Sequence, residues 1–281
     1  MTTARRGLAV LAAALLGACV PYPGALPDGG GSSAPTPESS FGAISGAFPG
    51  LDAGAADQQS LHFDVKAYGS DVAAAVSSSA EQDYQNIMTD TGLYSFQPKG
   101  LYHIVIYGSQ DEYRKKTGQP DWSAGVCVGN AIYTWVSPRL SGVLAHEMTH
   151  LIWFEFMGGN LSPQQRWVNE GLAVYEESKA ANRGNELFAA LLPGLRAAPL
   201  PMDQVENLAP NTERAYDASL WYAQAESMVR FLIERGGRIG FAQFLTALRD
   251  GQTFDQAVSA GFPGQWRALA DYYADWKRSL S

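Results

Sequence analysis

Leu144-Ala145-His146-Glu147-Met148-Thr149-His150-Leu151-Ile152 is the stretch on which the reading of the whole chain turns. On a helix, residues four apart differ by about 40° in azimuth and roughly 6 Å in rise. His146 and His150 therefore project from one face, and both imidazoles can reach a single ion. Zinc accepts neutral imidazole nitrogen at about 2.0–2.1 Å. Glu147 lies about 100° from His146 and about 60° from His150. That places it beside such an ion rather than on it, where a base for a water molecule belongs. The flanking text supports a helix. Ser137-Pro138 offers an N-cap with proline at the first position. Leu140, Val143, Leu144, Leu151 and Ile152 keep a helical period until Gly158-Gly159 ends it.

Downstream, Ser162-Pro163-Gln164-Gln165 is a capping box with proline at its first position. It opens a second helix expected to run to about Lys179. A hydrolytic metal site needs a third protein ligand and an open position. Glu170, in Trp167-Val168-Asn169-Glu170-Gly171-Leu172-Ala173, lies twenty residues after His150. That is chain enough to finish one helix, turn at Gly158-Gly159-Asn160 and start an antiparallel partner. Glu170 would then face the histidines. Glu176 and Glu177, two turns further on, are less well placed as ligands. The chain has four histidines, and two fall in this motif. The others, His62 and His103, sit in expected strands and read as surface or core residues.

Upstream, Leu61–Ala67 alternates as a strand, and Asp71 to about Met88 is helical in pattern with Gly92 as its stop. Leu101–Tyr107 is β-branched and aromatic, a second strand. Gln110–Lys116 reads as a short helix ended by Gly118. Val126–Val136 reads as a third strand broken near Gly129-Asn130. Residues 193–210 read as a loop or broken segment. Helices follow over about Tyr216–Arg235, Ile239–Arg249, Phe254–Ala260 and Gln265–Ser279. The fold class is α+β. A small α/β part with a short sheet (60–136) precedes a mainly helical part (137–281), and no internal repeat is visible.

The N-terminus reads as a targeting segment. Arg5 and Arg6 precede an apolar run from Leu8 to Leu16, too short to span a bilayer. Residues 1–18 are thus expected to be a signal peptide. Leu16-Gly17-Ala18-Cys19 resembles the lipobox of bacterial lipoproteins, which implies lipidation at Cys19 and a lipid anchor in the cell envelope. Val20, rather than aspartate, after the cysteine favours the outer membrane, facing the periplasm. The alternative is an ordinary secretory signal and a periplasmic or secreted protein. Cys127 is the other cysteine. With Cys19 acylated it is expected to be a buried thiol; otherwise a Cys19–Cys127 disulfide is open to it. Residues 19–59 are rich in Gly, Pro, Ala and Ser and read as a tether with a reach of roughly 35 Å. The whole chain, 281 residues, holds 20 Lys+Arg against 28 Asp+Glu. That balance offers no basic stripe and argues against nucleic acid as a partner.

The residues from His146 to Ala173 resemble the gluzincin clan of metallopeptidases. The further likeness is to bacterial peptidase-MA-like proteins. It extends to Leu101–Tyr107 with Gln110-Asp111-Glu112-Tyr113, to Gly125–Trp135, and to Trp221-Tyr222-Ala223-Gln224-Ala225-Glu226. The resemblance implies a zincin-like domain over 60–281 and one zinc per chain on His146, His150 and Glu170. It implies a peptide or protein substrate, with Glu147 as the general base. It also implies a hydrogen-bond donor to the oxyanion, for which Tyr222 is the candidate and Tyr216 the reserve. Gly125–Trp135 would offer an edge to an extended peptide. Thermolysin-type members carry an acidic residue four after the third ligand; here that position is Val174, which leaves the partners of the histidines unassigned. The competing readings are a metal-binding pseudopeptidase or envelope scaffold, against which the intact Glu147 argues, and a non-catalytic binding lipoprotein.

Overall fold

The computed structural model describes residues 48–181, 186–207 and 215–280. The expected signal segment, Cys19 and most of the Gly/Pro-rich stretch lie outside the described residues. The fold is α+β, a five-stranded sheet followed by a mainly helical body. Strands β1 (Ala56–Gln59), β2 (Phe63–Ala67), β3 (Tyr102–Tyr107), β4 (Gly125–Val128) and β5 (Ala131–Trp135) form it in the order β1-β2-β3-β5-β4. The central pairs β2–β3 and β3–β5 are parallel, and both edge pairs are antiparallel. The two parallel links carry α1 (Ser70–Thr91) and α2 (Gln110–Thr117) as crossovers.

Period-two alternation divides the sheet between two apolar clusters. Phe63, Val65, Tyr102, Ile104, Ile106 and Ile132 face the main core, shared with α1 and α3 (Leu140–Met157). Val105, Tyr107, Val126 and Tyr133 face the other way, where Tyr113 of α2 and the incoming segment at Phe48 and Leu51 cover them.

The helical body continues through α4 (Arg166–Ala180), α5 (Glu186–Ala197), α6 (Met202–Asn207), α7 (Ala215–Arg249), α8 (Phe254–Gly261) and α9 (Leu269–Ser279). Helix α3 is enclosed nearly all round, with 14 of its 18 residues buried. Helix α4 packs along both α3 and α7. Its seating on α7 requires Gly171, where a Cβ would stand 2.4 Å from the carbonyl oxygen of Ala225.

Several expectations are corrected. The stretch expected to be tether up to residue 59 includes β1, and the chain is already packed on the sheet at Phe48. Its sparse apolar residues suffice because the sheet supplies an unfilled face. Ser137 does not cap α3; its hydroxyl and carbonyl accept from Arg139 and Leu140 in a turn, and the helix begins at Leu140. The break near Gly129 is a reversal that separates β4 from β5. The segment from 193 is more helical than expected: α5 carries Pro193 inside it, held by buried Leu195 and partly buried Leu191 and Leu192. The two helices expected at Tyr216–Arg235 and Ile239–Arg249 need no correction: they are the two arms of α7, separated by a kink at Gly237, whose backbone is not helical. The last helix starts at Leu269 rather than Gln265.

Candidate metal centre and active site

Helix α3 presents His146 and His150 on one face, as their spacing requires. Their rings meet edge to face with centroids 4.8 Å apart. The antiparallel return through the capping box at Ser162 starts α4 so that Glu170 faces the pair. One ligand atom from each of His146, His150 and Glu170 lies within 4.8 Å of the other two. Glu170 Oε2 is 3.7 Å from His150 Nε2. All three side chains are buried, and His146 Nε2, His150 Nε2 and Glu170 Oε2 make no hydrogen bond among the described residues. Orphaned buried acceptors are costly unless something satisfies them, and two imidazole nitrogens with a carboxylate oxygen are a donor set suited to a divalent metal.

The far sides of both rings are occupied. His146 Nδ1 donates to Glu177 Oε2 at 3.0 Å, and His150 Nδ1 donates to Asn169 Oδ1 at 2.9 Å. Neither acceptor oxygen can donate in these bonds, so each Nδ1 carries a proton, and whenever a ring is neutral its Nε2 lone pair faces the cluster. Glu177 also meets Arg139 at 3.4 Å. These two partners fill the gap left by Val174. Sequence reasoning missed both. Glu177 stands seven residues beyond Glu170, on the same face of α4 within about 20°, and Asn169 immediately precedes the candidate ligand.

Burial and charge compete across the cluster. Burial alone would depress the His146 pKa, but the hydrogen bond and charge of Glu177, with Glu147 and Glu170 nearby, raise it to about 9. Burial and the neighbouring His146 lower His150 to about 3. Burial pushes Glu170 up to about 8 despite the attraction of His146. Glu177 is pulled below its ordinary value, because His146 and Arg139 outweigh its burial. A bound divalent cation would lift the burial penalty on Glu170 and hold both imidazoles neutral.

Glu147 is fully enclosed, at 0 % exposure. Edge strand β4 passes close against it: a Cβ at Gly125 would stand 3.1 Å from Glu147 Cγ and 2.7 Å from Val143 Cγ1. Only glycine allows that approach. Tyr222 is buried on α7 with its ring edge-on to Trp221 at 5.1 Å. The side chain of Tyr216 lies outside the described residues. His62 stacks on Tyr84 and pairs with Glu81, and His103 pairs with Asp64, so both are engaged away from the cluster. Cys127 is buried on β4.

A family model described as the Peptidase MA superfamily matches residues 79–280, well over half of the chain. No curated protein matches the chain significantly.

Proposed function

The chain belongs to the Peptidase MA superfamily, and from that premise we propose that it is a zinc-dependent, gluzincin-type peptidase. The observation that carries the reading is the buried triad of His146, His150 and Glu170, with three unsatisfied ligand atoms grouped beside Glu147. His146 Nε2, His150 Nε2 and a Glu170 carboxylate oxygen would hold the metal. Zinc, when bound, supplies Lewis acidity that acidifies a water and polarises a scissile carbonyl.

The remaining chemistry belongs to the chain. The Glu147 carboxylate accepts the proton of the attacking water and delivers it to the departing amine. Glu177 and Asn169 hold the imidazoles in the tautomer that leaves Nε2 basic. The enclosure of Glu147 keeps bulk water from competing for its proton. Strand β4 would guide an extended substrate past Glu147, consistent with its edge position and its close approach at Gly125. Tyr222 is retained as the candidate donor to the oxyanion.

Glu147→Gln tests the reading. The change is nearly isosteric and removes the base but no proposed ligand. It should leave zinc content and the melting curve near wild type while hydrolysis of an unstructured peptide library falls at least about 100-fold. Cleavage at the wild-type rate would refute the mechanism. A zinc-loaded wild type that cleaves nothing in such a screen would favour the pseudopeptidase or scaffold reading.

The proposed setting is the bacterial cell envelope, with a lipid on Cys19 as the membrane anchor. The apolar run and the lipobox-like Leu16-Gly17-Ala18-Cys19 support it. Wild-type protein is expected to fractionate with membranes and incorporate labelled fatty acid, and Cys19→Ser to do neither. A soluble, unlabelled wild type would favour an ordinary secretory signal.

A further inference from the structure

The two edges of the sheet are built differently. Edge strand β1 carries exposed Asp57, Gln58 and Gln59. Edge strand β4 reads Gly125-Val126-Cys127-Val128, without charge or proline, and among the described residues it pairs with β5 alone. An apolar edge without such guards is a template for a further strand. The N-terminal strap approaches this edge strand by strand. Asp52 N donates to the Tyr68 hydroxyl just beyond β2, the Pro49 carbonyl accepts from Tyr107 at the end of β3, and Phe48 packs edge-on against Tyr133 of β5. Followed from Asp52 back to Phe48, the chain crosses β2, β3 and β5 in the order of the sheet, and the next strand is β4. Residues 41–47, Phe41-Gly42-Ala43-Ile44-Ser45-Gly46-Ala47, come immediately before Phe48 and lie outside the described residues. No charged residue occurs between Glu38 and Asp52.

We propose that residues 41–47 dock in cis along the far edge of β4, where an extended substrate would pass Glu147, and so make the N-terminal segment an intramolecular competitor of substrate. The docking stands on the path of the strap; the competition rests on the peptidase reading. The reach is sufficient. From Tyr133 to a strand position beyond β4 is two strand spacings, about 10 Å, which three or four extended residues cover. Ile44 then arrives at the edge, and the four residues from Phe41 to Ile44 match the four of β4 in length. Phe41 and Ile44 bring apolar surface to an apolar strand, and the segment brings no charge that pairing would have to desolvate. Because Phe48 is already seated, the segment is presented at roughly millimolar effective concentration, and weak strand pairing suffices to hold it. An incoming peptide has to displace it from the same backbone groups.

The test compares the full chain with the same chain carrying Phe41→Pro and Ile44→Pro, which removes two backbone donors and both large apolar side chains from the segment. Amide hydrogen exchange, read by fragmentation mass spectrometry, reports on the edge without requiring metal or cleavage. About half of the β4 amides point away from β5. These are expected to be protected in wild type and to exchange at least about tenfold faster in the double-proline chain, while the β5 amides stay unchanged. Equal exchange of β4 in the two chains overturns the docking and leaves the peptidase reading standing. Equal loosening of β4 and β5 overturns it as well, because the segment would then act on the sheet rather than on its edge. Protection that rises with protein concentration and survives the prolines gives the edge to a second copy instead. The competition has its own readout: for a cleaved peptide, the double-proline chain should lower KM by about threefold or more at unchanged kcat. An unchanged KM overturns the competition. Faster β4 exchange in a pair of chains that cleave nothing supports the docking while counting against the peptidase reading and the competition that rests on it.

Discussion

Glu177 shows how a residue outside the candidate ligand set can govern it. Its carboxylate accepts from His146 Nδ1 at 3.0 Å and is steadied by Arg139 at 3.4 Å. Glutamine in its place can keep a hydrogen bond but not the charge that strengthens it. Glu177→Gln is therefore expected to weaken zinc binding about tenfold to a hundredfold, measured by competition with a chromogenic chelator, while Glu176→Gln stays near wild type. Unchanged affinity in Glu177→Gln would mean that the carboxylate serves Arg139 alone. The candidate ligands were legible in the sequence because helical spacing is local arithmetic: His146 and His150 share a face, and a glycine turn with a capping box returns Glu170 toward it. The partners of the two rings were not. Which α4 side chain meets Nδ1 of His146 depends on how α4 crosses α3, and no local pattern encodes that. The same spacing that keeps Glu177 out of the candidate ligand cluster puts it against the imidazole.

At the level of elements, the helices of the candidate metal centre lean on a second set of buried charges. Asp83 and Asp90 of α1 and Glu176 of α4 are all buried where α1, α4 and α7 meet. Lys179 of α4 and Arg238 of α7 both reach Asp90, and Lys179 also stands 3.9 Å from Glu176. Arg230 of α7 is turned to Glu226 and the Tyr175 ring. Asp83 Oδ2 and Glu176 Oε1 make no hydrogen bond among the described residues. Burial raises Asp83 to about 7, and burial with the charge of Asp83 raises Glu176 to about 8. Unfolded, both would ionise near the ordinary carboxylate range. Between that range and pH 8 the folded state binds more protons, so stability falls as pH rises, by something on the order of a few kcal/mol. The groups of the metal cluster titrate over overlapping pH ranges, so the comparison must be between variants. Thermal melts of wild type minus those of the Asp83→Asn, Glu176→Gln double variant should change steadily from pH 5 to 8.5, with the double variant relatively more stable at the alkaline end. A difference independent of pH would show that neither carboxyl is neutral in the fold. The helices bearing these groups were mostly readable from periodicity and caps. The misread elements are those whose stability is tertiary. Helix α5 tolerates Pro193, a cost of roughly 3 kcal/mol in an isolated helix, because Leu195 is buried in the core.

The whole molecule begins earlier than composition suggests. A stretch rich in Gly, Pro and Ala reads as tether because it has too little apolar surface to form a core of its own. It does not need one here. The outer face of the sheet offers Val105, Tyr107, Val126 and Tyr133, and α2 covers only part of it. Phe48 packs edge-on against Tyr133 at 5.1 Å, and Leu51 joins the same cluster. Polar contacts pin the backbone between them: Tyr107 donates to the Pro49 carbonyl at 2.6 Å, and Lys116 donates to the Gly50 carbonyl and to Asp52, both at 2.9 Å. Strand β1 then extends the sheet beyond β2. A chain starting at residue 60 would lose both the strap and β1, exposing the aromatic face and a new sheet edge. Replacing Phe48 and Leu51 together by alanine isolates the strap without removing β1. Burial of one such side chain contributes roughly 1.5–3 kcal/mol, and Phe48 is only partly covered. The double substitution is therefore expected to cost about 3 kcal/mol in urea unfolding, and a chain starting at residue 60 to cost more and to self-associate. Both are measurable by equilibrium unfolding and by light scattering. The candidate metal centre lies against the opposite face of the sheet, so zinc affinity measured on the folded fraction of the double variant should match wild type. Equal stability of all three chains would return residues 48–59 to the tether. A parallel loss of zinc affinity would mean that the strap acts through the sheet on α3 rather than on its own face alone.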